Sequence, residues 1–589
     1  MSGRFARDLP FGASLLAPNL TLFRFWAPAQ QHVAVEIEGH SPVPMRAVGR
    51  GWFEADAPCG AGACYRYRLE NGLTVPDPAS RAQADDVHGP SLVVDPRAYQ
   101  WRQPTWRGRK WQETVLYELH VGAYGGFAGV QAALPVLARL GVTAVELMPV
   151  NDFPGSRNWG YDGALPFAPD SSYGSPDELK ALVDAAHAAG LMMFLDVVYN
   201  HFGPDGNYLA AYAPEFFRDD IATPWGAAID FRRPEVRRYF TENALYWLHE
   251  YRFDGLRFDA VHAISEADWL DEMAAEVRRS IEPGRHVHLV LEHDGNVADH
   301  LRHDFDAQWN DDAHHVLHVL LTGESDGYYA DYADDPACRL ARCLSEGFVY
   351  QGDVSNYRKG VRRGTSSADL PPTSFVLFLQ NHDQIGNRPF GDRLRTQADP
   401  HALDAAIALQ LLCPQIPLIF MGEERGSASP FLYFTDHSGD LAAAVREGRR
   451  REFAGFTGFA AGESASSIPD PNALATFEIS VPAPDPVRGE QVRDLYARLL
   501  SLRAKILIPR LEGARALDAM PCGPAAVVAR WRLGDGTVLT IATNLGRETC
   551  TLAPPRGQLI FATNEGAAAG AQHGTLDAAT TVVFVDGAV

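Results

Sequence analysis

The sequence predicts an α/β protein built around a closed (β/α)₈ barrel, the TIM-barrel architecture, with a small β-domain on each side. Its 589 residues are too many for a single hydrophobic core, which favours two to four domains. From about residue 112, short apolar strands alternate with helical segments, the pattern of repeated βα units. Both ends of the chain instead carry short strands of alternating polarity separated by turn residues, which is typical of small β-domains.

The central region contains eight apolar runs that we interpret as barrel strands. Helical segments separate most of them; in SPDELKALVDAAHAAG, Ser175 has the character of an N-cap and Gly190 that of a helix stop. Eight such units closing on themselves predict the barrel, and a doubly wound open sheet is the alternative. The predicted strands are 115–121, 144–150, 192–200, 254–261, 288–294, 305–310, 375–383 and 416–424.

Changes of pattern along the chain divide it into four consecutive parts. We predict a β-sandwich over 1–100, a polar, Trp-rich linker over 101–111, the barrel over 112–507 and a C-terminal β-domain over 508–589. Within the barrel region, residues 455–490 are rich in Gly, Ala, Ser and Pro, which indicates a surface loop.

The charge balance restricts the partners of this protein. Lys and Arg number 52 and Asp and Glu 74, so the net charge is −22, which repels nucleic acid and anionic membranes but not a neutral sugar polymer. The seven cysteines lack zinc-site spacing, and the N-terminus lacks the apolar core of a signal peptide. No apolar run approaches membrane-spanning length. We therefore expect a cytoplasmic, reduced protein.

Charged residues lie in the C-terminal parts of four predicted strands. Asp196, the pair Arg257 and Asp259, Glu292 and Asp383 each lie at the end of an apolar run. Catalytic groups of a (β/α)₈ barrel come from the C-terminal ends of its strands, where these carboxylates are expected to surround one cavity. A helix cap or surface ion pair explains any one of them alone, but four such strands in one barrel favour an active site.

Glycoside hydrolysis requires one protonated carboxyl and one ionised carboxylate beside the scissile bond. Arg257 precedes Asp259 by two residues and lies on the same face of the strand, so its charge favours the ionised form of Asp259. Glu292 has no cation on its own strand, which makes it the better candidate for a raised pKa. This reasoning gives Asp259 the role of nucleophile and Glu292 that of acid.

The four segments DVVYNHFG, GLRFDAVHAI, LVLEHD and FLQNHDQIGNR resemble, in order, four sequence regions of the α-amylase family of glycoside hydrolases. The resemblance implies Asp259 as nucleophile and Glu292 as general acid/base of a retaining enzyme. It also implies that Asp383, the third carboxylate, binds hydroxyls of the reacting sugar and favours its distortion.

The same resemblance implies five residues around the reacting glucose. His201, Arg257 and His382 are expected beside it, with Asp196 supporting Arg257. Tyr161, in the segment NWGYDG, corresponds to the tyrosine that stacks on that ring in the family.

We expect no cofactor and no required metal. Many family members hold calcium with the asparagine that corresponds to Asn200 and a large insertion after the third strand, but the insertion here, roughly 201–232, is short. His314, His315 and His318 lie on a predicted helix, and without a second cluster we interpret them as helix surface and cavity edge.

Additional substrate contacts are expected from aromatic side chains near the strand ends, because the C–H groups of a pyranose pack on aromatic rings. The candidates for further substrate contacts are Trp159, Trp225, Tyr328, Tyr329 and Glu424.

The N-terminal sandwich resembles a glycogen-binding-type module, which implies sugar binding or simple packing on the barrel.

Longer stretches, including ENALYWLHEYRFDGLRFDAVHAI and DAQWNDDAHHVLHVLLTGESDGYYADY, resemble a narrower subgroup of this family. Its members hydrolyse the α-1,4 bond next to the terminal trehalose unit of maltooligosyltrehalose, and the resemblance implies functional pairing with a maltooligosyltrehalose synthase. A glycogen branching enzyme is the alternative, which Gln384 disfavours because branching enzymes usually have Glu there. A non-catalytic α-glucan-binding protein is disfavoured since all three carboxylates are present.

Overall fold

The computed structural model describes residues 4–223, 225–453 and 467–587. Its centre is a closed barrel of eight parallel strands, and pairing of Leu116 with Leu418 joins the first strand to the last. The predicted (β/α)₈ barrel is confirmed, and the doubly wound alternative is wrong. The barrel strands are β1 (Leu116–Leu119), β2 (Ala144–Leu147), β3 (Met192–Val197), β4 (Gly255–Phe258), β5 (His288–Leu291), β6 (Ala307–Trp309), β7 (Phe375–Leu377) and β8 (Ile416–Phe420).

All eight barrel strands end before their predicted last residue, and β7 and β8 do so by the most. After β7, residues 382–386 form a helical turn capped by Asn381, whose side chain accepts a hydrogen bond from the Gln384 N–H at 2.9 Å. After β8, Glu423–Arg425 form a 3₁₀ turn. The polar groups that follow the strands therefore lie on turns at the C-terminal rim of the barrel.

Among the residues that the structure describes, seven long helices surround the barrel, and a short 3₁₀ turn (Ala298–Arg302) takes the place of a helix between β5 and β6. No helix of the described ranges is long and apolar enough to cross a membrane. The long helices are α1 (Phe127–Leu140), α2 (Pro176–Ala188), α3 (Pro234–His249), α4 (Asp268–Ser280), α5 (Asp311–Thr322), α6 (Pro400–Leu412) and α7 (Gly489–Leu502). The other α-helices of the described residues are Leu209–Tyr212, Ala330–Ala333, Pro336–Glu346, His382–Gly386, Leu394–Gln397, Gly439–Glu452, Leu474–Ser480 and Glu565–Gln572.

Helix α2 begins and ends where its residues dictate. Ser175 forms a capping box with Glu178, and each side chain binds the backbone N–H of the other residue. Gly190 adopts a φ of 75°, a left-handed conformation that costs glycine little. The predicted cap and stop are both confirmed.

The N-terminal region forms two antiparallel sheets whose facing rings make its core, as in the stacking of Phe25 on Tyr67 with centroids 4.1 Å apart. Phe25 also packs against Tyr212 of the barrel loops at 4.6 Å. The first sheet contains Gly12–Ala17, Leu20–Trp26, Trp52–Ala57 and Arg46–Gly49; the second contains Val43–Pro44, Ala34–Ile37, Cys64–Arg68, Thr74–Val75 and Ser91–Leu92.

Residues 101–111 cross the N-terminal end of the barrel and are tightly held there. The Trp106 indole donates a hydrogen bond to Asp254 at 2.9 Å and stacks on His187 with ring centroids 4.9 Å apart. The Trp111 indole donates to the Thr373 carbonyl at 2.7 Å. The tryptophans of the predicted linker thus close the floor of the barrel.

The C-terminal region is a five-stranded antiparallel sheet whose Trp531 donates a hydrogen bond to the Leu344 carbonyl of the barrel at 3.1 Å. Its strands, in spatial order, are Arg515–Gly523, Ala526–Arg532, Val538–Asn544, Thr580–Asp586 and Gln558–Ala562.

The expectation that 455–490 is a surface loop is wrong in part. The helix Leu474–Ser480 lies within this stretch, and its Thr476 and Ser480 are buried. Residues 455–466 of that stretch lie outside the described ranges.

A buried charge cluster connects the N-terminal region to the barrel. The carboxylate of Glu250 lies 2.5 Å from a nitrogen of Arg81 and 3.4 Å from the nitrogen of Lys180, and all three side chains are nearly inaccessible to solvent. These two cations hold the pKa of Glu250 below its usual range although burial acts in the opposite direction. Removing one cation leaves a buried carboxylate insufficiently paired, which is strongly destabilising.

We expect Arg81→Met to destabilise the protein by about 3–5 kcal/mol, because Glu250 then lacks its main counter-ion in a dry interface. Arg24→Met is the matched control: its pair with Glu54 is partly exposed, so the loss should stay within about 1 kcal/mol. Thermal and denaturant unfolding of both variants measure the difference. Equal losses in the two variants would contradict the role of the cluster.

Candidate active site

A cavity of about 760 Å³ opens at the C-terminal rim of the barrel. The three carboxylates singled out from the sequence, Asp259, Glu292 and Asp383, all line it. Tyr161 and His201 line it as well. The polar strand ends therefore meet in one place, which is the arrangement that the barrel topology predicts.

Arg257 is the centre of the site. Its guanidinium is fully buried and donates through one nitrogen to Asp196 at 2.6 Å and to Asp259 at 2.9 Å. The other terminal nitrogen lies 2.8 Å from an oxygen of Glu292. The plane of the group packs over the Trp309 ring at 4.2 Å. One cation thus positions three carboxylates from three neighbouring strands.

Both oxygens of Asp259 have fixed partners. Oδ1 accepts from Arg257, and Oδ2 accepts from the Asn200 amide at 2.8 Å. The same amide nitrogen lies 2.9 Å from the backbone carbonyl of Asp259. Asn200 thus orients the carboxylate of Asp259.

Glu292 lies beside Asp259 in a different environment. Burial raises the pKa of Glu292, opposed by Arg257 and reinforced by the negative charge of Asp259. Its Oε2 also accepts the Ala260 N–H at 2.7 Å. Glu292 has no cation on its own strand, as expected, but Arg257 reaches it from the adjacent strand β4. The direction of the pKa shift agrees with the prediction because burial outweighs the arginine.

Ala260 connects the two carboxylates through the backbone. It has a φ of 41° and a ψ of 44°, a left-handed conformation that a residue with a Cβ rarely adopts. This conformation accompanies the hydrogen bond from its N–H to Glu292. Strain of this kind tends to occur where a functional group must be held in one orientation.

His382 is held between two carboxylates. Its Nδ1 lies 2.5 Å from Glu118 of β1, and its Nε2 lies 3.5 Å from Asp383. Burial lowers the pKa of His382, but Asp383 and Glu118 raise it by more, to about 9. His382 is therefore an imidazolium at neutral pH, directly behind Asp383.

The structure brings the remaining polar residues of the predicted site together. The Tyr161 hydroxyl donates to Asp196 at 2.6 Å, and its ring stacks on His382 with centroids 5.0 Å apart. His201 binds the Tyr161 carbonyl at 2.9 Å, and burial lowers the pKa of His201. Asp196, Arg257 and His382 are buried behind the residues that line the cavity rather than on its surface.

The aromatic candidates divide into three kinds. Trp225 lies between the strands Phe217–Thr223 and Gly226–Ile229, is 46% exposed, and stacks on His201 at the cavity mouth. Tyr328 lines the cavity. Trp159 also reaches the cavity, but it is buried and stacks on Phe431, so its main role is packing.

Tyr329 and Glu424 correct the prediction, because neither lines the cavity. Tyr329 is buried and stacks on His318 with centroids 4.2 Å apart. It follows Tyr328 in a 3₁₀ turn, where consecutive side chains point in different directions. Glu424 is buried and accepts hydrogen bonds from the Tyr117 hydroxyl at 2.9 Å and from the Gly422 N–H at 3.0 Å.

The histidines of α5 are buried, so their interpretation as helix surface was wrong. Only His315 of the three lines the cavity, and burial holds the pKa of His315 well below its usual range. His314 and His318 pack under Tyr329. Across the described ranges, no group of three or more His, Cys, Asp or Glu side chains is placed to hold a metal ion.

Several further carboxyl groups of this site were not predicted from the sequence, among them Asp311 and Glu118. Asp311 lines the cavity at the start of α5, and burial, together with Glu292, raises its pKa well above the usual range. Its position directly after β6 is the signal that could have found it. Glu118 interrupts the apolar run 115–121, and a charged residue in the middle of a buried strand was the corresponding signal.

Comparisons with known proteins agree with this geometry. Residues 86–219 match the family described as the catalytic domain of α-amylase, and residues 514–585 match a domain of unknown function, DUF3459. Fold and site together define a glycoside hydrolase of the α-amylase type.

The relatives identify the family more closely. The malto-oligosyltrehalose trehalohydrolase of Deinococcus radiodurans is 43% identical and aligns over 85% of this chain and 82% of its own. The malto-oligosyltrehalose trehalohydrolase of Rhizobium sp. strain M-11 is 39% identical and aligns over 92% of this chain and 94% of its own. The chain belongs to the malto-oligosyltrehalose trehalohydrolase family.

Solved structures share the whole architecture. A 1.4 Å crystal structure of a putative α-amylase from Salmonella typhimurium matches with a TM-score of 0.92 at 43% identity, covering 99% of this chain and all of that one. A pullulanase from Anoxybacillus sp. LM18-11, bound to maltotetraose, matches with a TM-score of 0.72 at 17% identity. At that identity the second match shows the fold alone.

We expect Glu118→Gln to lower the pKa of His382 from about 9 toward its usual value, because the nearest carboxylate is lost. In the wild type the paired imidazolium stabilises the fold fully below about pH 6.5, the usual value for histidine, and this contribution is lost as pH rises through about 9. NMR titration of labelled histidine measures both forms. Glu54→Gln, a change in the N-terminal sheets, is the control, and an unshifted His382 titration in Glu118→Gln would contradict the pairing.

Proposed function

We propose that this enzyme hydrolyses the α-1,4-glucosidic bond next to the terminal trehalose unit of maltooligosyltrehalose. The products are trehalose and a shortened maltooligosaccharide. Membership of the trehalohydrolase family supports the substrate, and the cavity supports the chemistry. The observation that carries the mechanism is the contact of one buried arginine with two carboxylates that differ in their surroundings.

Asp259 is the proposed nucleophile. Arg257 and Asn200 each bind one of its oxygens, so the carboxylate is oriented before the substrate arrives. Attack on the anomeric carbon forms a bond from that carbon to a carboxylate oxygen as the bond to the leaving oxygen breaks. The resulting covalent intermediate divides one difficult substitution into two easier steps.

Glu292 is the proposed general acid and then the general base. Its raised pKa favours the protonated form, which can give a proton to the departing trehalose oxygen. Once ionised, it accepts a proton from the water that releases the sugar from Asp259. Two inversions retain the configuration, so the freed reducing end appears first as the α-anomer, and the two carboxyl groups should lie about 5–5.5 Å apart.

Asp383 is the proposed ligand of the sugar hydroxyls. The imidazolium of His382 lies behind it, and Tyr161 stacks on that imidazolium at the edge of the cavity. This arrangement holds a carboxylate and an aromatic face on one side of the reacting glucose. Binding contacts that strengthen as the ring flattens increase the rate of the chemical step.

A glycogen branching enzyme is the second candidate. The branching enzyme GlgB of Jannaschia sp. strain CCS1 is 35% identical, but it aligns over only 43% of this chain and 40% of its own. Both reactions begin with the same covalent intermediate, and they differ in whether water or a second glucan accepts the sugar. Trehalose as the main product from maltotriosyltrehalose would exclude branching as the main activity.

The reaction needs a substrate that already ends in trehalose. We therefore propose functional pairing with a maltooligosyltrehalose synthase, and a cytoplasmic location where both enzymes meet linear glucans. Measuring trehalose formed from maltopentaose with and without the purified synthase tests the pairing.

Asp259→Asn keeps the shape of the side chain but removes the attacking charge, and we expect activity to fall at least about a thousandfold without unfolding. The control is Asp294→Asn, which changes another carboxylate of the cavity that pairs with Arg358 instead of Arg257. The activity of Asp294→Asn should fall by no more than about tenfold. Initial rates and circular dichroism of both variants test the assignment; near-normal turnover of Asp259→Asn would remove it from this role.

We expect kcat/KM to be at least about tenfold higher for maltotriosyltrehalose than for maltopentaose, a difference of about 1.4 kcal/mol in transition-state binding. The 1,1-linked unit bends away from an α-1,4 chain, and binding it helps to orient the scissile bond at Glu292. Trp225 and Tyr328, which line the cavity, are the proposed contacts, and Tyr328→Ala should reduce the preference. Equal efficiency on the two wild-type substrates would refute the trehalohydrolase assignment.

A further inference from the structure

A second cavity, of about 320 Å³, lies near the N-terminal end of the chain, where residues 4–8 meet α3 and the loop that leads to β5. Its residues are separate from those of the candidate active site. Five arginines and three carboxylates line it, together with His249. In a protein whose net charge is −22, this local excess of positive charge is unusual. The lining arginines are Arg4, Arg7, Arg238, Arg252 and Arg285.

Three of these arginines already have carboxylate partners. Arg7 and Arg238 both bind Glu242, the first at 2.6 Å. Arg4 binds Glu282 at 3.1 Å. The third lining carboxylate, Asp8, has an almost fully exposed side chain that lies 3.6 Å from Arg97. The acids of the cavity are therefore engaged by these arginines and by Arg97.

Arg252 and Arg285 have no carboxylate within ion-pair distance among the described residues. Arg252 is 1% exposed, donates to the carbonyls of Gln103 and Trp106 at 2.7 and 3.0 Å, and packs its guanidinium against the Phe5 and Trp101 rings. Arg285 donates to the Phe253 carbonyl at 2.9 Å. The Nε of each is buried and lacks a hydrogen-bond acceptor in this part of the structure. Charge buried in this way is costly unless a counter-ion accompanies it.

The pKa values of two cavity residues, Arg252 and His249, are lowered by burial and by neighbouring positive charge. Burial and the nearby Arg285 lower the pKa of Arg252 to about 10. Burial, together with Arg285 and Arg7, lowers the pKa of His249 to about 4. An anion in the cavity would oppose both shifts, because opposite charge favours the cationic forms.

We propose that this cavity binds the phosphoryl group of a small molecule, either free phosphate or a sugar phosphate, between Arg252, Arg285 and the N-terminal segment. Guanidinium groups suit phosphate because several N–H donors can face its oxygens at once. The volume exceeds that of a lone phosphate and accommodates a small phosphorylated metabolite. The Phe5 ring, 4.2 Å from the Arg252 guanidinium, closes one side of the site.

The location connects the site to the catalytic strands. Helix α3 and Arg252 precede β4, which carries Arg257, and Arg285 precedes β5, after which Glu292 follows. A ligand bound here would connect the N-terminal segment to the two segments that precede β4 and β5. Because it binds only the folded protein, it stabilises that state in proportion to its occupancy.

Arg285→Gln is the informative variant, because it removes a cation without leaving a carboxylate unpaired. The unliganded variant should be as stable as the wild type or more stable. Its affinity for inorganic phosphate should fall at least about tenfold. Arg285→Lys keeps the charge and should retain part of the binding. Arg530→Gln, a surface change in the C-terminal sheet, should leave binding unchanged.

Isothermal titration calorimetry and thermal unfolding of the full chain, at constant ionic strength, measure binding of inorganic phosphate, glucose 6-phosphate and glucose. We expect saturable binding of the two phosphates and none of glucose. Tighter binding of glucose 6-phosphate identifies a sugar phosphate as the ligand class, and equal or weaker binding identifies free phosphate. Phosphate stabilises many proteins by exclusion from their surface, so a shift of equal size in Arg285→Gln, or no saturable binding, overturns the proposal.

Discussion

The active site depends on a single buried cation. The Arg257 guanidinium contacts Asp196, Asp259 and Glu292, and it lies on the Trp309 ring with no exposure to solvent. Burying an isolated charge costs several kcal/mol even after relaxation, and the carboxylates around it offset that cost. The same contacts orient the carboxylates. Without the arginine, the carboxyl groups of Asp196, Asp259 and Glu292 would lose their shared partner at the centre of the barrel.

The arginine also explains how neighbouring carboxyl groups can take different roles. Asp259 has a partner for each oxygen, whereas Glu292 accepts one backbone N–H and touches the arginine through one oxygen. Burial acts on Glu292 more strongly than this single contact, which raises its pKa. Separating the titration of neighbouring acids by their environments is a general way to obtain an acid and a base at one pH.

The sequence was sufficient to predict the barrel and the group of polar strand ends, because both follow from periodicity along the chain. Asp259, Glu292 and Asp383 could be placed in one cavity since strand ends of a barrel converge. The contact of Arg257 with Glu292 crosses between strands, so no pattern within one strand reveals it.

Side-chain direction on turns was equally hard to predict. Tyr328 and Tyr329 are adjacent, but the geometry of one short turn sends the first to the cavity and the second into the core. Glu424 follows an apolar strand like the other acids, yet it binds Tyr117. Position after a strand indicates the rim of the barrel; it does not indicate which side of a turn faces the cavity.

The shared ion cluster at Glu250 has a consequence for the modularity of this enzyme. Arg81 belongs to the N-terminal region, whereas Lys180 and Glu250 belong to the barrel. A barrel produced without residues 1–100 would lack Arg81, the nearer of the two cations that pair with Glu250. We therefore expect the two parts to fold as one unit, with the N-terminal region contributing to the stability of the barrel.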